Sequence, residues 1–366
     1  MRPQHDATAA SIDDTIRQLA YPEDEEREFK YMIRNDAPVR TQAIRRKPDC
    51  PSLGRLGSLP PELLLMICNF LDFQSLSRAS QASLDLNALV HGLSAYHEMM
   101  EHAPDVLAVL GKTRLLHHHS ASLLRQTLRS DRCVSCFEFG GFLLLPTCER
   151  VCLECLHRNP ILWMIPITIA KQCFGLSDKD LGQIPVLHSI PDTYCVRFQV
   201  SRRRVYRLVN VKQIKQLALR VHGSPEKVLT FLPRVNVGTS ATGNLSSLKT
   251  LHKASLEPPG RDMSLIRHSD QLGNDHFCGM ASMRLPVLTD AGIDRGYLCR
   301  GCRVTHDRYR NRTLPPILQA KLDSPGVIPV LPLRAAMTRL HSRHEFLDHA
   351  KRCYGARQIL AKQRKA

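Results

Sequence analysis

The chain has 366 residues, 43% of them hydrophobic, and a formal net charge of +17. That hydrophobic content supports a real core and excludes a chain disordered throughout, and the length allows two or three domains. No apolar run approaches the about 20 residues a membrane span needs; the best stretch, Ile161 to Ala170, is short and holds Pro166.

The first thirty residues carry no apolar leader, so the expected compartment is the cytoplasm and/or nucleus, with no membrane partner. Thirteen cysteines in such a chain point to metal ligands or buried thiols before disulfides. The charge is uneven. Residues 197–366 hold 31 Lys+Arg against 11 Asp+Glu, a net of +20, and residues 1–196 hold 20 against 23. A basic carboxyl half attracts an acidic partner or nucleic acid, or serves as a solvated face.

Residues 1–52 read as a disordered tail, with an acidic cluster (Glu23-Asp24-Glu25-Glu26, Glu28) before a basic one (Arg45-Arg46-Lys47). A helix is then predicted from Pro60. The first helical positions have no intrahelical N–H bond to lose, so Pro60 and Pro61 fit there. Glu62 suits the positive end of the helix dipole. Leu63, Ile67, Phe70 and Leu71 make an apolar stripe at i, i+4, i+7 and i+8, widened by Leu64 and Cys68. Asp72 and Ser75 offer caps for a second helix starting near Leu76. A helix this apolar has to bury two sides, either in the chain's own core or with one side gripped by another protein.

The string Leu59-Pro60-Pro61-Glu62-Leu63 through Phe70-Leu71-Asp72 and Leu76 resembles the F-box, over residues 56–95. It departs at Gln81-Ala82-Ser83-Leu84-Asp85-Leu86, where the family continues with a Val-Ser-Arg-x-Trp segment. The resemblance implies docking onto a Skp-type adaptor, and through it a cullin, of a ubiquitin ligase. It makes Leu59, Pro60, Leu63, Ile67, Phe70, Leu71 and Leu76 the partner-binding residues, and leaves an unknown protein substrate to the carboxyl region. The F-box is placed at 53–100.

Residues 101–130 read as a helical linker. The neighbours His117, His118 and His119 are set about 100° apart on a helix and cannot share one face, so they are expected at the surface. Cys133-Val-Ser-Cys136 and Cys152-Leu-Glu-Cys155 then show the C-x2-C-x15-C-x2-C spacing of a structural zinc site. Four thiolates leave no open coordination position, so the role expected for Cys133, Cys136, Cys152 and Cys155 is structural. Cys148 is a fifth candidate outside the pairs. Phe139-Gly140-Gly141-Phe142 suggests a tight hairpin with the glycines in the turn. Together with Leu176-Ser177, Ile190-Pro191-Asp192-Thr193-Tyr194 and a Tyr-Arg-Leu-Val strand, the segment is similar to a cysteine module found behind the F-box in fungal F-box proteins.

A strand at 205–211 precedes a helix with Ile214, Leu217, Ala218 and Val221 inward and Gly223 as C-cap, which closes a cysteine-rich module at 131–223. Residues 224–270 read as a loop-rich linker. The last module, 271–366, holds Cys299-Arg-Gly-Cys302 and a terminal helix opened by the capping box Ser342-Arg-His-Glu345. His349 and Cys353, at i and i+4, face one way and would complete a Cys₃His zinc site, with His276, Cys278 and His306 as rival ligands.

The expected fold class is α+β, mostly α: a small N-terminal F-box helical bundle followed by an irregular zinc-stabilised carboxyl region. No P-loop, His-Glu-x-x-His or Gly-x-Ser-x-Gly is present, so a non-catalytic subunit is expected. A RING-type ligase would need eight interleaved ligands, which the spacing does not provide. The alternative to the ligase adaptor is a zinc-dependent nucleic-acid-binding or scaffold protein.

Overall fold

The computed structural model describes residues 53–191, 204–232, 277–322 and 330–363, with shorter pieces that include 14–21, 32–33, 195–196 and 251–256. The chain is mostly helical with several small sheets, in agreement with the expected class. The acidic run at 23–28, the basic run at 45–47, Asp192 to Tyr194 and His276 lie outside the described residues.

Pro61 starts α1 (Pro61–Phe70), with Pro60 in the N-cap position and Glu62 in the first turn. The second helix begins earlier than expected. Asp72 caps α2 (Phe73–Ala79) by accepting from Ser75 N at 2.8 Å, and the Ser75 hydroxyl donates to its second oxygen at 2.6 Å. Ser83 caps α3 (Leu84–Gly92) in the same way. The bundle then runs on through α4 (Ser94–His102), α5 (Pro104–Lys112) and α6 (Ala121–Arg129). The span expected as a linker is thus part of the bundle: Leu107, Val109, Leu110, Leu124 and Leu128 are buried in one core with Phe73, Leu76 and Val90. His117 and His118 are exposed, whereas His119 is buried and its Nε2 lies 2.7 Å from Leu145 O, which corrects the surface assignment for that residue.

Glu98 on α4 clamps α6 through bidentate pairs with Arg125 and Arg129. The hydrogen bonds from Arg129, then those from Arg125, hold its carboxyl down to about 2. A depressed carboxylate contributes stability above its unfolded value and loses it as pH falls through the folded one. Glu98→Gln is therefore expected to cost about 1–2 kcal/mol at pH 7, discounted for the partly exposed arginines. Urea titrations of the two proteins should converge as the pH approaches 2. A constant gap down to that pH would refute the pairing.

Behind the bundle, β1 (Phe142–Leu144) and β2 (Glu149–Val151) form an antiparallel hairpin, followed by α7 (Leu153–Arg158). A second sheet has β3 (Met164–Pro166) and β4 (Leu187–His188) on either side of β5 (Arg207–Asn210), all antiparallel, with α8 (Ile167–Phe174) between the first two. Asn210 ends β5 and caps α9 (Val211–His222) through Lys212 N, while its amide donates to Leu162 O and Trp163 O. Gly223 closes α9 at φ 82°, in the left-handed region. Ile214, Leu217 and Ala218 point inward as expected, and Val221 is exposed.

The chain does not divide at 271. β6 (Ser282–Arg284) pairs antiparallel with β1, so the segment from Phe277 to Leu288 is built into the core of the first cysteine module. A hairpin of β7 (Val287–Thr289) and β8 (Gly292–Asp294) leads to β9 (Tyr297–Leu298), α10 (Arg300–Arg310), α11 (Val330–Thr338), β10 (Leu340–His341), α12 (Arg343–Arg352) and α13 (Tyr354–Gln363). This carboxyl module has its own small core, of Cys299, Cys302, Phe346, Ala350 and Ala356. Part of the expected tail completes it. Ile16, Leu19 and Ala20 are buried there, and Tyr21 N donates to Leu298 O at 3.1 Å.

Candidate docking face and metal centres

α1 has two apolar faces with different fates. Leu64 and Cys68, four apart, are buried against the bundle, and half-buried Leu71 packs beside them. Leu63, Met66, Ile67 and Phe70, at i, i+3, i+4 and i+7, form a stripe turned to solvent. Phe70 is 78% exposed and Ile67 47%. Pro60 is exposed and Leu59 half-buried at the head of the helix, with exposed Leu56 in the turn before it. Leu76 does not belong to this face: it is 0% exposed, because Asp72 caps α2 in an orientation that turns Leu76 into the bundle core. It is a support, and assigning it to a partner is corrected. A contiguous exposed apolar stripe on a rigidly backed helix is a candidate protein-docking surface.

The first candidate metal centre draws on three devices. Cys133 and Cys136 sit in a turn closed by Phe137 N to Cys133 O at 3.0 Å and Cys133 N to Glu138 O at 2.7 Å, with Phe137 at φ 60°. Cys152 follows β2 as the N-cap of α7, and Cys155 lies in that helix, donating its N–H to Cys152 Sγ. Arg150 fixes both halves. Its main chain accepts from Val134 N at 2.8 Å, and its guanidinium donates to the carbonyls of Thr127, Leu128, Gly140, Leu285 and Pro286. The four sulfurs of Cys133, Cys136, Cys152 and Cys155 lie within 4.8 Å of one another, with Cys136 and Cys152 3.6 Å apart. A tetrahedral ion with bonds of about 2.3 Å separates its sulfurs by about 3.8 Å, so the donor set fits such an ion. Mutual hydrogen bonding holds Cys133 far below the usual thiol range, its bond from Cys136 first, and Cys155 far above it, its bond with Cys133 first.

Cys148 is outside this set. It is buried, at φ 55° in the turn between β1 and β2, with its carbonyl accepting from the Thr127 hydroxyl at 2.9 Å. The glycines expected in that turn lie instead ahead of β1 and allow close approach. A Cβ on Gly140 would stand 3.0 Å from Cys133 N, and one on Gly141 2.4 Å from Leu340 Cδ1.

The second centre joins Cys299 and Cys302, at the head of α10, to His349 and Cys353 at the end of α12. The capping box of Ser342 and Glu345 is present and starts α12 as expected, but α12 is not the terminal helix: the backbone turns at Cys353, its C-cap, and continues as α13. Cys302 Sγ lies 3.2 Å from His349 Nε2, and Cys299 Sγ 3.9 Å from Cys353 Sγ. Hydrogen bonding of the protonated ring to the sulfurs of Cys299 and then Cys353 raises His349 to about 9. A Cβ on Gly301 would meet Ala356 N at 2.2 Å, and one on Gly355 would meet Gly301 O at 1.9 Å, so two glycines let α10 and α13 touch beside the ligands. The rivals stand apart: Cys278 is buried 3.9 Å from His157 Nδ1, and His306 is buried with Nδ1 on Asp307.

Sequence reasoning missed Arg150 and also His341, which stacks on His349 with ring centroids 4.4 Å apart. Both depend on contacts across long stretches of sequence.

An F-box-like family model matches residues 56–101, the segment that carries α1 to α4. No curated protein and no solved structure matches the chain.

Proposed function

We propose that the chain is a non-catalytic, substrate-recruiting subunit of a Skp–cullin–F-box ubiquitin ligase, working in the cytoplasm and/or nucleus. The observation that carries this reading is the solvent-facing stripe of Leu63, Met66, Ile67 and Phe70 inside the F-box-like segment, on a helix whose other face is fixed to the core. The stripe, headed by Leu59 and Pro60 and flanked by Leu71, binds the Skp-type adaptor. Burying each large apolar side chain is worth about 1.5–3 kcal/mol, so four suffice for a stable complex. The two centres hold zinc. Cys₄ and Cys₃His are the sulfur-rich, closed sets that suit a structural Zn²⁺, and neither has a position for substrate. Ubiquitin transfer is then proximity work: the carboxyl region holds a substrate protein while a carrier elsewhere in the complex supplies the chemistry.

The test is calorimetric titration of the full chain with a purified Skp-type adaptor. Ile67→Asp, at an exposed position, is expected to abolish binding and leave the thermal unfolding unchanged. Binding that survives Ile67→Asp and Leu63→Asp alike would overturn the reading.

A further inference from the structure

The last seventy residues, 297–366, hold fifteen Lys+Arg against four Asp+Glu, a net of +11. Eleven of the fifteen cations are arginines. A face that only keeps a protein soluble uses either cation, whereas the planar guanidinium suits paired recognition of carboxylates and phosphates. The three described carboxylates of this module are already engaged: Asp307 with Arg303, Glu345 with Arg132, and Asp348 with Lys351. Arg310, Arg312, Arg334 and Arg357 are exposed and have no carboxylate partner among the described residues.

α10 shows how the charge is displayed. Gly301 and Thr305 pack on α13, where Gly355 N donates to the Thr305 hydroxyl at 3.1 Å, and Cys302 and His306 are buried. Arg303 and Arg310, seven apart, therefore occupy the opposite, solvent-facing side, with Arg312 just beyond the helix end. The ligand Cys302 and the glycine contact fix this helix in place, so its arginines project from a rigid base.

We infer that the outer face of α10 is a docking surface for an acidic protein segment, and that this segment belongs to the substrate; the inference rests on the adaptor reading. Two observations favour acidic protein over nucleic acid. No Phe or Tyr ring in the described part of 297–363 is exposed to stack on a base, and the exposed imidazole of His344 lies within 3.9 Å of Asp348 Oδ2. Asp307 sits on the same face, between Arg303 and Arg310, where it repels a continuous run of phosphates and leaves a mixed carboxylate-bearing peptide tolerated.

The test measures fluorescence anisotropy of a labelled peptide of alternating Glu and Ser residues, and of a labelled DNA duplex, with the full zinc-loaded chain. Arg303→Glu combined with Arg310→Glu is compared with Lys179→Glu combined with Lys227→Glu, an equal change of net charge on exposed residues elsewhere. The expected result is a loss of peptide affinity of about tenfold or more for the arginine pair only. Equal losses from both pairs would reduce the effect to overall charge and overturn the inference. Tighter binding of the duplex than of the peptide, lost with the same arginines, would also overturn it in favour of nucleic acid. Adaptor titration of the arginine variant separates the two readings. In the natural chain, adaptor binding without peptide binding defeats this inference alone; in the arginine variant, adaptor binding kept with peptide binding lost, and in Ile67→Asp the reverse, is the pattern expected if both hold.

Discussion

Cys133→Ser is expected to unfold the larger part of the protein, and Cys353→Ser only a small part. A structural zinc ion supplies roughly 10–16 kcal/mol of binding free energy, against about 5–15 kcal/mol for the whole stability of a domain. The difference between the two centres lies in what surrounds them. Cys133, Cys136 and Cys155 are buried in the main core, which runs without a break into α1 to α6 and the β3–β5–β4 sheet. Cys299 and Cys302 belong to the separate small core of the carboxyl module. Losing the first ion leaves four crowded sulfurs inside the main core, so near-UV circular dichroism should collapse and the Skp-type adaptor should no longer bind. Losing the second should release the segment at 14–21 to proteolysis, because Ile16, Leu19 and Ala20 rest on that core, while adaptor binding stays. Elemental analysis of the purified variants gives the metal content directly. Unchanged unfolding of Cys133→Ser, with two ions still bound, would remove the first centre from the account.

The local features were legible because they depend on near neighbours. Pro60 to Glu62 start a helix wherever they stand, and Ser342 with Glu345 cap one. The Cys133–Cys155 spacing brings its own ligands together through two short turns and a hairpin. The stripe on α1 was visible as period, but period alone cannot say which of two apolar faces meets water. Leu64 and Cys68, expected only to widen it, turned out to be the buried side, and Leu76 followed them inward. What stayed hidden was distant pairing. Nothing in Ser282-Met283-Arg284 announces β1 as its partner 140 residues earlier, and three-residue strands carry almost no period-2 signal. For the same reason the glycines at 140 and 141 looked like turn residues, although their work is to admit Cys133 and Leu340 at close range.

The largest effect expected from a residue that touches neither a metal ion nor a partner is at Arg150. The residue is 3% exposed, and no carboxylate among the described residues forms an ion pair with it; burial pushes its guanidinium down to about 9, which still leaves it charged at neutral pH. The charge is tolerated because five backbone carbonyls surround it, from the end of α6 (Thr127, Leu128), from Gly140 before β1, and from Leu285 and Pro286 after β6. One side chain thus joins the helical bundle, the first metal centre and the returning carboxyl strand. Each carbonyl left buried without a donor costs about 1–3 kcal/mol, so Arg150→Met, which keeps most of the volume and removes every donor, should cost about as much as a domain's usual reserve. The expected outcome is insoluble or molten protein even with zinc in excess. Arg150→Lys retains charge and three donors at a single point, so it should fold with a lowered midpoint in urea. If Arg150→Met instead unfolds cooperatively within about 1 kcal/mol of the natural chain, the carbonyls have found other donors and the bundle and metal module are joined by apolar packing alone.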